Sequence, residues 1–243
     1  RNSSSFQPER EIGNFVLTAE KLNSKDDDGN VLLNDFSITI HPGEKVAFVG
    51  MEHNSITSFF DIVSETKKPE SGTYSWGQTT SHSYMGRDNS AYFNNELTIT
   101  DWLKQYSPDQ DDAYVRGFLG RMLFSGDDGL KKVKVLSGGE KVRCMLSKMM
   151  LSGANVLILD DPTNHLDLES IESLNEGLVK FPGVVMFSSH DHEFISTIAN
   201  RIIEITPKGI IDRMMNFDDY LKDDQVKQLR KEYYAGLNKK IRI

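Results

Sequence analysis

The chain lacks most of what would send it outside the cell or into a bilayer. It has a single cysteine, Cys144, in 243 residues; one thiol forms no internal disulfide and suits a reducing compartment. Cys144 sits in an apolar helical pattern, where a thiol acts as a small buried hydrophobe rather than a reagent. No apolar run approaches the roughly 20 residues that a membrane-spanning helix needs, and no signal-peptide pattern opens the chain. Positive charge is in the minority: 28 Lys and Arg stand against 36 Asp and Glu, a net charge of -8. A protein bound to nucleic acid over its whole surface would carry the opposite balance. One local basic run, from Lys227 through Arg230 and Lys231 to Lys239, Lys240 and Arg242, reads as a solvated helix face or tail. There is no internal repeat. These absences describe a soluble, cytoplasmic chain, long enough for one large domain with a small subdomain.

What is present is alternation. Residues 1–13 are polar and aperiodic and read as the tail of a connection from an upstream segment. An α/β body is expected over 14–221, with a helical subdomain at about 96–152 and a helical tail over 222–243. Residues 15–22 and 33–40 read as strands around a turn at 26–30. The short run 45–49, ending in Gly50, suits a strand buried on both faces of a mostly parallel sheet. A helix should follow, with Phe59, Phe60 and Val63 turned inward. Residues 98–132 carry helical spacing instead, with Thr100 a candidate cap. Further on, strands at 156–160, 184–188, 202–205 and 210–212 alternate with helices at 168–178 and 192–199. Such βαβ order implies a mostly parallel core sheet with right-handed crossovers and an antiparallel β edge.

The chemistry gathers in a few stretches. Ser137-Gly138-Gly139-Glu140 is a capping box ahead of the apolar run Val142, Met145, Leu146, Met149 and Met150. Its two glycines cost helix stability, about 0.8–1.0 kcal/mol each relative to alanine. In return they allow close backbone approach, with free N–H groups and the positive helix end facing an anion. A capped helix and a phosphate contact both remain open at this point. Asp160 ends a buried strand at the sheet edge where α/β proteins place ligands. A carboxylate there can hold the Mg²⁺ of a nucleotide, directly or through water, and Asp161, on the other side of the strand end, suits orienting or deprotonating a water. His190, in Ser189-His190-Asp191-His192, falls at the same edge and suits contact with a γ-phosphate; His192 reads as surface.

Together, Leu136 to Glu140, Val156 to Asp167 and Ser188 to Phe194 resemble an ATP-binding-cassette ATPase domain, a P-loop NTPase-like fold, over nearly the whole chain from Phe15 to Tyr220. The wording Thr163-Asn164-His165-Leu166-Asp167-Leu168-Glu169-Ser170 is similar to the second cassette of the ABC-F group, soluble two-cassette proteins of which most act on ribosomes. The resemblance implies ATP and Mg²⁺ as ligands. Gly50, Ser55, Thr57 and Ser58 fall in the phosphate-binding loop, with Thr57 and Asp160 toward the metal and Asp161 and His190 catalytic. Because cassettes pair head to tail, Ser137, Gly138, Gly139, Glu140 and Asp167 would serve ATP held by a second cassette, expected in the same full-length chain.

The departures concentrate on the chain's own loop. His53 and Ser55 stand where glycines are wanted, and Ile56 where a lysine is wanted. Side chains there crowd the nest of N–H groups, and the missing charge is worth about 4 kcal/mol at ~4 Å and an effective dielectric of ~20. Arg87 replaces a Mg²⁺-sensing glutamine, Asp27 and Asp28 occupy the place of an adenine-stacking aromatic, and Asp161 is one methylene shorter than the family's glutamate. The expectation is weak or absent ATP binding at this loop. A transporter's nucleotide-binding subunit and a non-hydrolysing interaction module are the alternatives.

Overall fold

A computed structural model describes residues 6–237 of the chain. Two sheets organise it. Strands β1 (Leu17–Lys25), β2 (Val31–Ile40) and β4 (Ser71–Trp76) form an antiparallel sheet ordered β2-β1-β4. A six-stranded sheet runs β5-β6-β7-β3-β8-β9, built from β5 (His82–Met85), β6 (Val156–Asp160), β7 (Val184–Ser188), β3 (Lys45–Val49), β8 (Arg201–Thr206) and β9 (Gly209–Arg213). All its pairings are parallel except β8–β9. The expected parallel sheet with an antiparallel edge is therefore observed, and the small antiparallel sheet covers one of its faces.

The central strands are buried on both faces, and their alternation divides the core in two. Val46, Phe48, Val156, Ile158, Val184 and Met186 join α1 (His53–Val63) and the antiparallel sheet in one apolar cluster. The alternate residues, Ala47, Val49, Leu157, Leu159, Val185 and Phe187, join the helices on the other side. Those helices are α2 (Ile99–Lys104), α3 (Asp112–Arg121), α4 (Gly138–Leu151), α5 (Leu168–Lys180) and α6 (His192–Ile198), followed by α7 (Phe217–Lys222) and α8 (Asp224–Tyr233). Period two thus fixes which side chains at the strand ends meet α1 and which do not. Phe59, Phe60 and Val63 are fully buried, as α1's spacing requires.

Some local details differ from expectation. The cap of α2 is Thr98, whose hydroxyl accepts from the Asp101 amide; Thr100 is buried and donates to the Gly129 carbonyl instead. The first strand begins at Leu17, two residues later than expected, where pairing to both neighbouring strands starts, and Phe15 before it is exposed. The aperiodic segment before it nonetheless packs. Phe6 is buried with its ring edge-on to Phe181 at 6.3 Å, the Glu9 amide donates to the Gly153 carbonyl, and Asn155 donates to the Arg10 carbonyl. Aperiodicity marked the absence of a helix or strand, not the absence of contacts. The remainder of that segment, residues 1–5, and the basic residues Lys239, Lys240 and Arg242 lie outside the described residues. No described helix is long and apolar enough to cross a membrane.

Candidate functional site

Asp160 and Ser188 are register partners at the ends of β6 and β7, and Asp160 follows Ile158 on the α1 side of the sheet. There its carboxylate is fully enclosed, and both of its oxygens accept hydrogen bonds. Oδ1 accepts from His53 Nε2 at 2.6 Å and from the Ser188 hydroxyl at 2.9 Å; Oδ2 accepts from the Thr57 hydroxyl at 2.6 Å. His53 and Thr57 reach it together because they sit at i and i+4 on α1, hence on one helix face.

That spacing exists because α1 begins at His53, with Glu52 as an N-cap that makes no side-chain bond. Without glycines at 53 and 55, the residues that would form an open phosphate loop are wound into the helix's first turn. Ile56 consequently faces inward and joins the apolar cluster with Phe36, Phe48 and Phe59. Ser58 also turns away: its hydroxyl meets Ser24 Oγ at 2.7 Å and accepts from Lys67. Ser55 is buried. Gly50 keeps a φ of 150°, and a Cβ there would lie 2.4 Å from the Ile205 carbonyl oxygen, so this glycine is required by its own strand neighbour.

Asp161 turns the other way, at φ 52°, a left-handed conformation that non-glycine residues adopt sparingly. Its amide donates to the Ser188 hydroxyl. His190 lies with Nε2 3.9 Å from Asp161 Oδ2, its side chain 73 % exposed and its ring 5.6 Å from that of His53. A cavity of about 230 Å³ opens between Asp160, Asp161 and the segment holding Arg87, with Asn164 and His165 on its wall. Asp160, Asp161 and His190 are brought to one edge, as the strand ends implied, and Arg87 shares the cavity wall with the two aspartates, near the place the family resemblance implied. His53, which also reaches Asp160, stands outside the residues the motifs single out; its four-residue offset from Thr57 on one helix is the sequence signal that marks it. Asp27 and Asp28 are exposed in a turn anchored by Asp26, which accepts from Asn30 and Asp28.

The second candidate region is the start of α4. Ser137 caps it reciprocally with Glu140: the Glu140 amide donates to Ser137 Oγ, and the Ser137 amide to Glu140 Oε1. Burial opposes the charge on Glu140, but bonds from Ser137 and Lys131 hold its carboxyl below the ordinary value. Ser137 and Gly138 are exposed. The two glycines have an intramolecular partner in His165: a Cβ on Gly138 would lie 3.3 Å from the His165 ring, and one on Gly139 2.6 Å from its carbonyl oxygen. The signature turn and the Asn164–Asp167 stretch therefore pack on each other within one chain. Asp167 itself caps α5, accepting from the Ser170 amide, which holds its carboxyl low.

A parallel α/β sheet with an acidic strand end beside α1 and a glycine-bearing helix start defines a nucleotide-binding cassette. The chain matches the family model described as ABC transporter over residues 33–164, and it belongs to that family. It is 56 % identical over 232 residues to the uncharacterized ABC transporter ATP-binding protein YkpA of Bacillus subtilis, covering 95 % of this chain and 43 % of that one. It is 31 % identical over 217 residues to the energy-dependent translational throttle protein EttA of Escherichia coli, covering 88 % and 39 %. The chain spans less than half the length of these relatives. Among solved structures, the dimeric bacterial ABC transporter cassette MJ0796 superposes with a TM-score of 0.68 at 16 % identity, covering 78 % of this chain and 94 % of that one. Cassettes of this family bind ATP with Mg²⁺ and work as dimers.

Proposed function

We propose that this chain is the second cassette of a soluble ABC-F-type ATPase acting in translation, inactive at its own nucleotide site and productive at its partner's. One asymmetry carries the reading. Asp160 is consumed by His53, Thr57 and Ser188, whereas Ser137 and Gly138 stand exposed at the start of α4. The residues at the chain's own site do not fit a Mg²⁺–nucleotide: the loop is helical from His53, position 56 is an inward-facing isoleucine, and both oxygens of the metal-ligand carboxylate already accept hydrogen bonds within the chain. The α4 start suits an anion, with Ser137 and Gly138 exposed at a positive helix end. In a head-to-tail pair, Ser137, Gly138 and Gly139 meet ATP held by the other cassette, while Asp161 and His190 line a site without turnover. The similarity to EttA supports the translational setting, and the greater length of the relatives leaves room for the upstream cassette.

The test is ATPase activity of the full-length two-cassette protein carrying Ser137→Asp. Aspartate retains the N-cap but sets a negative charge against the partner's phosphates. Activity falls while folding is kept; unchanged activity contradicts the in-trans role. The name of YkpA favours a second reading, the ATP-binding subunit of a transporter. Co-purification with membrane protein rather than ribosomes selects it.

A further inference from the structure

We propose that His53 is an internal ligand of Asp160 that closes this nucleotide site from within, so that the site is shut by occupancy and not merely weakened by a missing lysine. The inference rests on the reading that the segment from Gly50 to Ser58 is the chain's own nucleotide loop, and it says what the loop has become.

A carboxylate with no exposed surface must be met by donors. Here they are His53 Nε2 at 2.6 Å, Thr57 Oγ1 at 2.6 Å and Ser188 Oγ at 2.9 Å. A Mg²⁺ ion demands near-ideal geometry at about 2.0–2.1 Å from its oxygens. Bound at Oδ1 it must expel the imidazole, whose ring is itself flanked by that of His190, and bound at Oδ2 it must displace the Thr57 hydroxyl. The substitutions at 53 and 56 are moreover one change. The helical register that brings His53 to Asp160 turns position 56 into the cluster with Phe36, Phe48 and Phe59. A lysine restored at 56 alone would start from that apolar cluster, where an unpaired ammonium is costly, rather than from an open phosphate loop.

The test compares Mg-ATP binding, by calorimetry and thermal shift, in Ser55→Gly/Ile56→Lys and in the same pair with His53→Gly added. The triple variant binds at least about a hundredfold more tightly than the double; equal affinities overturn the proposal. If the triple variant does not fold or does not bind, the unaltered chain decides. Its His53 Nε2 proton, bonded to a buried carboxylate, gives an exchange-protected nitrogen-coupled NMR resonance that millimolar Mg²⁺ leaves in place. Loss or displacement of that resonance by Mg²⁺ overturns the proposal while leaving the functional reading intact. Micromolar Mg-ATP binding by the unaltered chain would overturn both the proposal and that reading.

Discussion

Gly139→Ala sets two effects of opposite sign against each other. By helix propensity alone, replacing a glycine inside α4 with alanine stabilises by about 0.8–1.0 kcal/mol. The new Cβ, however, would lie 2.6 Å from the His165 carbonyl oxygen, a backbone atom that cannot swing aside. Forcing such a contact costs about 1–3 kcal/mol. The clash wins by about 1 kcal/mol, which lowers the melting temperature by about 2–4 °C for a chain of this size. An internal control isolates the propensity effect. Gly117, on the exposed face of α3, has nothing within 4 Å of an added Cβ. Gly117→Ala therefore raises the melting temperature by about 2–4 °C. Thermal denaturation followed by circular dichroism measures both. A rise in Gly139→Ala equal to that in Gly117→Ala would refute the packing of the signature turn on His165.

Other outcomes follow from single contacts. Glu204 is fully buried on β8 and accepts from the hydroxyls of Tyr220 and Tyr234, each at 2.6 Å, and from Arg230. Tyr234→Phe removes one bond to a charged acceptor, costing about 1.5–3 kcal/mol in denaturant unfolding and loosening the tie of α8 to the sheet. Phe6→Ala empties a buried aromatic site against Phe181 and costs about 3–5 kcal/mol, whereas a segment free of the core would show almost none. Glu96, fully exposed, has its carboxyl pulled down to about 2 by hydrogen bonds from Lys134 and Lys132. Its folded value lies below its unfolded one, so its contribution is present above about pH 4.5 and is lost as pH falls toward about 2. Glu96→Gln flattens the stability curve in that window, and salt reduces the difference.

The architecture was legible because its signals are local and redundant. Short apolar runs ending in Gly50 and Asp160 mark doubly buried strands, and Ser137 with Glu140 marks a helix start through reciprocal bonds that three-residue spacing alone requires. Asp160, Asp161 and His190 were placed together by topology, since strand ends of one parallel sheet share an edge. Two things were not legible. The glycines at 138 and 139 were open to an anion contact, but their partner His165 comes from a segment whose approach only tertiary packing fixes. His53 was read as a crowding residue in an open loop. Once the loop winds into α1, the same side chain becomes a donor to Asp160, and Ile56 becomes core.

The claim that this cassette works on its partner's nucleotide, with its own site closed, meets its most direct test in a calorimetric titration of the isolated chain with Mg-ATP. The asymmetry around Asp160 and Ser137 predicts no binding heat up to millimolar nucleotide. A single site of micromolar affinity would contradict it.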